Sequence, residues 1–338
     1  MGIETGSNAM PAAKNPQQSK FNAPHFQSVE AARTYLEALR WGAERVCPHC
    51  GTVNASFATK KAGVYRCSSK GCRKDFSVTT KSVMESSHIK LNVWLQAFYL
   101  MASSKKGVSS HQLHRALGVT YKSAWFLSHR IREAMRSGGL VPPIGSGGGT
   151  VEVDETYIGH LDGQPKKGRL GTSNMNTVLT LVERGGSARS FHIDSNRIAD
   201  IAPILRANLS REAKLMTDEH SSYKEVGGEF VSHDTVIHSK DQYVRYWNEV
   251  TDQTLPDGKP LVETTVITTN TVEGFYSIFK RGMTGIYQHC AEKHLHRYLS
   301  EFDFRYSNRV ALGIHDGERA DLAIKGAAGK RLTYRQSH

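Results

Sequence analysis

The sequence predicts an α/β protein in which a mixed β-sheet with helices packed on it follows a cysteine-bound module and a helical segment. Three observations predict it. Apolar residues recur at helical spacing up to about residue 136 and at every second position after residue 150. Four of the five cysteines fall within residues 47–72. In the second half strand-like runs lead and helical runs follow. The 338 residues are enough for about two domains.

Residues 1–27 are polar, with scattered proline, glycine and serine and no apolar signal-peptide core, and read as a disordered leader. Residues 28–88 read as a short helix followed by the cysteine module. Val29, Ala32, Leu36 and Leu39 form a helical stripe that Ser28 can cap. Residues 89–137 hold three helices, at 91–103, 109–119 and 120–135. Gly118 and Val119 lie between the last two, the outline of a DNA-binding helix-turn-helix. In the third helix Ala124, Leu127 and Ile131 can face a core while Lys122, Arg130 and Arg132 stay partly outside. A plain helical spacer is the other reading of this segment.

Residues 138–149, GGLVPPIGSGGG, read as a linker. Residues 150–310 carry a strand at 151–159, then two strands within 175–194 joined near Gly185 and Gly186. A helix at 196–209 with an internal proline follows, then a short strand ending in Asp218. A turn at 257–260 marks a local insertion, and helices follow at 271–281 and 291–307. Residues 311–338 read as a basic tail without a core pattern.

The 44 basic side chains exceed the 32 acidic ones, giving +12. Residues 1–150 hold 20 basic and 7 acidic side chains, and the remainder holds 24 and 25. The excess lies in the front half, which suits a phosphate backbone or a solvated surface. No apolar run of about 18 residues exists, so no membrane partner is expected. Five cysteines are too few for a disulfide scaffold, and a reducing, cytoplasmic compartment is expected. Cys290 stands apart and reads as a buried thiol.

Cys47 and Cys50, then Cys67 and Cys72, form two close pairs across a short loop, a pattern for tetrahedral thiolate coordination of zinc. Four thiolates leave no open position, so the zinc is structural and folds a segment too small to own a core. Iron held by the same sulfurs remains compatible with the spacing. His49 reads as a non-ligand. Lys60, Lys61, Arg66, Lys70, Arg73 and Lys74 crowd the cluster and suit phosphate or the charge of the thiolates.

Asp154 lies on the strand VEVDETY, where Glu152, Asp154 and Thr156 share one face and Val151 and Val153 the other. An acidic pair inside a strand is costly unless it meets water or a cation. Asp218 ends a strand, and Glu273 lies on a later helix. Asn270 is three residues before it, and Lys280 seven residues on falls on the same face. Three converging carboxylates would hold Mg2+ or Mn2+, two ions serving phosphodiester attack by water or a 3′-hydroxyl. Lys280 would meet phosphate as a point charge. A competing metal set is His220, His233 and His238. The remaining histidines read as core, surface or substrate-facing groups.

The motifs CPHCG at 47–51, VEVDETYIG at 151–159, TDEHSSY at 217–223 and NTVEGFYSIFKRGMTGIYQH at 270–289 occur in that order. With HLHRYLSEFDFRYSNR at 294–309 they resemble insertion-sequence transposases with an ISXO2-like, or IS1595-like, catalytic domain. The resemblance runs from about residue 28 to 310. It implies a ribonuclease-H-like catalytic core, with Asp154 and Asp218 as first and second carboxylates and Lys280 as the basic residue of the last motif. Either Asn270 or Glu273 completes the metal site; charge favours Glu273. It further implies that the zinc ribbon assists binding to the element's terminal repeats. The implied chemistry is metal-dependent hydrolysis at element ends and transfer of the 3′-hydroxyl into target DNA, by a homo-oligomer on double-stranded DNA at the nucleoid. Two other readings compete: a zinc-containing DNA-binding regulator without catalysis, and another ribonuclease-H-like nuclease.

Overall fold

The structure, a computed structural model, describes residues 20–138, 141–163, 174–254, 256 and 260–333. Of the expected leader only 20–27 is described. A short turn at Lys20–Asn22 leads into helix α1 (Pro24–Gln27) and α2 (Val29–Trp41). Phe26 is buried and Phe21 packs beside it, so the fold starts earlier than the polar composition suggested. Ser28 caps α2, its hydroxyl accepting from the Ala31 amide at 3.1 Å.

The cysteine module is a three-stranded antiparallel sheet of β1 (Ser56–Ala58), β2 (Val64–Cys67) and β3 (Asp75–Ser77). Its core is Cys47, Cys67 and Phe76 with Trp41, Tyr65 and Cys72 packed around them. That is too little apolar area to fold without a further cross-link.

Helices α3 (Leu91–Ser103), α4 (Ser110–Leu117) and α5 (Tyr121–Met135) follow. Ser109 and Gln112 form a capping box at α4, and Gly118 at φ +64° closes it in the left-handed region. The helix-turn-helix outline is present, but α5 differs from expectation. Arg130 and Arg132 are buried. Arg132 Nε donates to Glu301 Oε2 at 2.7 Å, and Arg130 donates to the carbonyls of Glu85 and Leu332. Both faces of α5 are packed from Ala124 onward, because later parts of the chain close over it. Its first turn is the most exposed part, where Tyr121 stacks on His111 of α4 and Lys122 faces outward, as do Gln112 and Arg115 of α4.

The segment expected as a linker folds back on the core. Ile144 is buried and bridges Leu209. Gly145, at φ +81°, approaches so closely that a Cβ there would lie 2.6 Å from Ala213 Cβ.

A five-stranded mixed sheet forms the second domain, with order β6-β5-β4-β7-β8. Its strands are β4 (Thr150–Ile158), β5 (Asn176–Glu183), β6 (Ala188–Ile193), β7 (Lys214–Thr217) and β8 (Ser232–Thr235). The first three are antiparallel neighbours, while β4, β7 and β8 run parallel. Helices α6 (Ile198–Asn208) and α7 (Ser221–Gly227) cover the face bearing Val151 and Val153. Helices α8 (Asn270–Gly282) and α9 (Leu295–Ser307) cover the other face through Val272, Phe275, Phe279, Leu299 and Phe302.

Between β8 and α8 the chain makes a separate two-stranded antiparallel ribbon, β9 (Val244–Thr254) and β10 (Pro260–Thr268). The expected turn falls between these strands; its residues 257–259 lie outside the described residues. The presumed tail also differs from expectation. Helix α10 (Asp316–Lys325) returns to the first domain, where Ala320, Ala323, Ile324 and Ala327 complete the core of α1–α5. Alanines at those positions carry a weak apolar signal, which is why the sequence read as tail.

Candidate active site

β4 and β7 are parallel neighbours, with Thr150 opposite Lys214, Val151 opposite Leu215 and Glu152 opposite Met216. Carried two residues further, that register sets Asp154 beside Asp218, just past the carboxyl end of β7. Open sheets present groups to ligands at such ends. Glu273 stands in the first turn of α8, on the same side of the sheet as Asp154.

Asp154 lies within the field of the other two acids. Burial pushes the Asp154 carboxyl up to about 7, and the charges of Asp218 and Glu273 push the same way. The Glu155 amide, donating to Asp154 Oδ1 at 2.8 Å, and the His238 charge act against them. Burial, with Asp154 and Asp218, also raises the adjacent Glu155 to about 7. Two other buried acids have arginine partners: Arg184 on Glu152, and Arg132 and Arg305 on Glu301. Among the described residues neither Asp154 nor Asp218 has an ion-pair partner. Hard oxygen donors with uncompensated negative charge fit a divalent cation. Their oxygens are not gathered as tightly as the cysteine sulfurs: among the described residues only the four thiols close to within 4.8 Å.

Glu273 Oε1 accepts from the Thr269 hydroxyl at 3.0 Å and lies 3.7 Å from His238 Nε2. Asn270 is exposed at the first residue of α8, and Lys280 is exposed two turns beyond Glu273. The competing histidines go to separate partners. His220 caps α7, accepting from the Ser222 amide, and His233 Nε2 bonds the Thr217 hydroxyl at 2.9 Å, whereas His238 faces Glu273. Among the described residues no metal-ligand group contains a histidine.

The residues that aim Glu273 escaped the sequence reading. Glu152 is fully buried and grips the start of α8. Its Oε2 accepts from the amides of Thr271 and Val272 at 2.7 and 3.0 Å, and its Oε1 from the Thr271 hydroxyl at 2.7 Å. The positive end of the helix favours that carboxylate. Arg184 Nε donates to Glu152 Oε1 at 2.6 Å, and its other nitrogens hold the carbonyls of Val266 and Thr268. Farther along α8 the Tyr276 hydroxyl donates to the Asp154 carbonyl. The strand of Asp154 and the helix of Glu273 are thus joined at two points. An acid two residues before Asp154 on the same strand face was the available signal, but it pointed equally to a ligand.

In the cysteine module Cys47 and Cys72 sulfurs lie 3.9 Å apart, and those of Cys50 and Cys67 3.7 Å. Tetrahedral zinc with bonds of about 2.3 Å sets its sulfurs about 3.8 Å apart. The four residues fit zinc with no position left open. His49 bonds the Asp75 carbonyl through Nε2 at 3.2 Å and is outside the ligand set. The flanking Lys60, Lys61, Arg66, Lys70, Arg73 and Lys74 are all exposed, Arg66 paired with Asp75.

Two family models match the chain. Residues 147–307 match the model of the ISXO2-like transposase domain, and residues 27–75 match that of the transposase zinc-ribbon domain. The chain is 26% identical over 236 residues to an uncharacterized protein in transposable element ISH50 of Halobacterium salinarum, covering 65% of this chain and 77% of that one. No solved structure matches. Among the described residues no helix is long and apolar enough to cross a membrane. The two family models, in their expected order on one chain, place it in the family: it is a DDE-type transposase with an ISXO2-like catalytic domain and that family's zinc ribbon.

Proposed function

We propose that this transposase hydrolyses phosphodiester bonds at the ends of a mobile element and then transfers the freed 3′-hydroxyl into target DNA. The single observation that carries the reading is the parallel register of β4 on β7, which sets Asp154 beside Asp218 at the end of the sheet, where Glu152 also anchors the first turn of α8 that bears Glu273. The sheet order and the helices on both faces support a ribonuclease-H-like core for it. Asp154, Asp218 and Glu273 would hold Mg2+ or Mn2+. Glu273 is favoured over Asn270 because its charge acts on Asp154. A divalent cation bound there would supply positive charge for the attacking and leaving oxygens.

The chain's own groups do the rest. Glu152 and Tyr276 hold α8 in register with β4, so the third carboxylate meets the first two. Lys280, on the Glu273 side of α8, offers a point charge to a phosphate near the cut. The exposed basic set of the zinc module and the first turn of α5 bind the duplex, so terminal-repeat recognition falls to the front half. Two ends handled together call for a homo-oligomer on the DNA.

The test is cleavage and joining on duplexes carrying the element's ends, with Mg2+ or Mn2+, wild type against Asp154→Asn. The reading predicts 3′-hydroxyl joining by wild type alone, with end-binding unchanged in the variant. Cutting without joining would favour a plain nuclease. Binding without either would favour a regulator. Cleavage retained in Asp154→Asn would remove the carboxylate assignment.

A further inference from the structure

The ribbon of β9 and β10 is built unlike the rest of the molecule. Among the described residues fifteen large apolar side chains are exposed, and seven of them lie within 243–266. Cross-strand partners share a face, so the register sorts its side chains. Tyr246 pairs with Val266, Asn248 with Thr264 and Val250 with Val262. These three rungs form one uncharged face, on which Tyr246 is 67% exposed and Val250 65%. The charged Arg245, Glu249 and Glu263 occupy the opposite face. The base of the ribbon is anchored: Ile267 is buried with Met216 and Val236, and Arg245 pairs with Asp234 at 3.2 Å. A lone two-stranded ribbon is marginal in water and needs a second layer.

We propose that this face packs against the same face of a second copy of this chain, about a two-fold axis. The inference rests on the transposase reading, and names the surface through which its two sites are coupled. Two observations choose the occupant. In a two-fold contact the same patch meets itself, so a patch of one net sign would repel itself; these rungs carry no charge. Nucleic acid is disfavoured, because residues 243–268 hold two basic and four acidic side chains. The ribbon is rooted between Asp218 and Glu273 in sequence, and Arg184 ties its base to Glu152. Pairing two ribbons therefore fixes one carboxylate site relative to the other. Three rungs span only about 14 Å along each strand. That area is well below the roughly 800 Å² per partner of a permanent dimer. The contact is reversible and depends on concentration.

The test places p-benzoylphenylalanine at position 246, or on the opposite face at 247, in the full zinc-loaded chain. Irradiation is done with and without an end duplex. We expect a covalent dimer from 246 at tenfold or greater yield over 247, rising with protein concentration. Adding Val250→Lys should abolish the dimer while zinc content and melting temperature stay at wild-type values. Equal yield from both faces, no dimer from 246, or cross-linking of 246 to the duplex would each overturn the proposal. Because the readout is a covalent dimer, it stands whether or not the protein cleaves DNA; failed cleavage with a positive dimer would count against the functional reading alone.

Discussion

The cysteine centre and the proposed carboxylate centre draw on the chain by opposite means. Four thiols come from one 26-residue stretch, 47–72, and close around a point with sulfurs 3.7 and 3.9 Å apart. Three carboxylates come from β4, the end of β7 and α8, up to 119 residues apart, and remain looser. The first centre would leave a bound zinc no open position. The second depends on a sheet and a helix already in place, and holds Asp154 as a buried carboxyl without an ion-pair partner among the described residues.

The largest expected effect breaks the first half of that comparison. Cys67→Ser should remove stoichiometric zinc, read by metal analysis, and make residues 45–75 sensitive to protease. Structural zinc is worth about 10–16 kcal/mol to such a module. A variant that keeps its zinc would show that three thiols suffice.

Glu152→Gln tests whether the second centre is aimed by the buried grip on α8. Charge-assisted hydrogen bonds contribute about 1.5–3 kcal/mol, and Arg184 is partly exposed, so a loss of about 2 kcal/mol is expected in chemical denaturation. Faster amide exchange at Thr271 and Val272 should accompany it. An unchanged exchange rate would show that α8 is held by its apolar face alone.

Asp154→Asn should go the other way without metal. A carboxyl raised to about 7 is stabilising to the fold only while protonated. That contribution is fully present below the usual carboxylate pKa, near 3.9, and is lost as pH rises through about 7. The metal-free variant should therefore be more stable than wild type at pH 8, by about 1–3 kcal/mol, and equal to it at pH 4. Divalent-ion uptake by wild type should rise over the same interval. Thermal melts across pH check both signs.

The smallest effect is Lys280→Ala, which should leave metal uptake intact and lower the salt dependence of end-binding by about one ion.

What the sequence displayed followed the same division. The cysteine spacing, the capped helices and the alternation along β4 and β5 are local signals, and each element formed where it was expected. Asp154, Asp218 and Glu273 were visible as residue types, but the placing of Asp154 beside Asp218 depends on the parallel register of β4 on β7. Partners 119 residues apart leave no periodic trace, so Glu152 read as half of an acidic pair and not as the anchor of α8. The burial of Arg130 and Arg132 was hidden because their partners, Glu301 and the segment around Leu332, arrive far later in the chain. The ribbon was missed because its alternating side chains face no core, and α10 because alanines pack without announcing it.

The central claim is that Asp154, Asp218 and Glu273 share bound divalent ions. Titration of zinc-loaded, otherwise metal-free protein with Mn2+ at pH 8, followed by electron paramagnetic resonance, tests it most directly. The account predicts saturable Mn2+ uptake by wild type that is lost in a folded Asp154→Asn variant. Equal uptake by both proteins would contradict it.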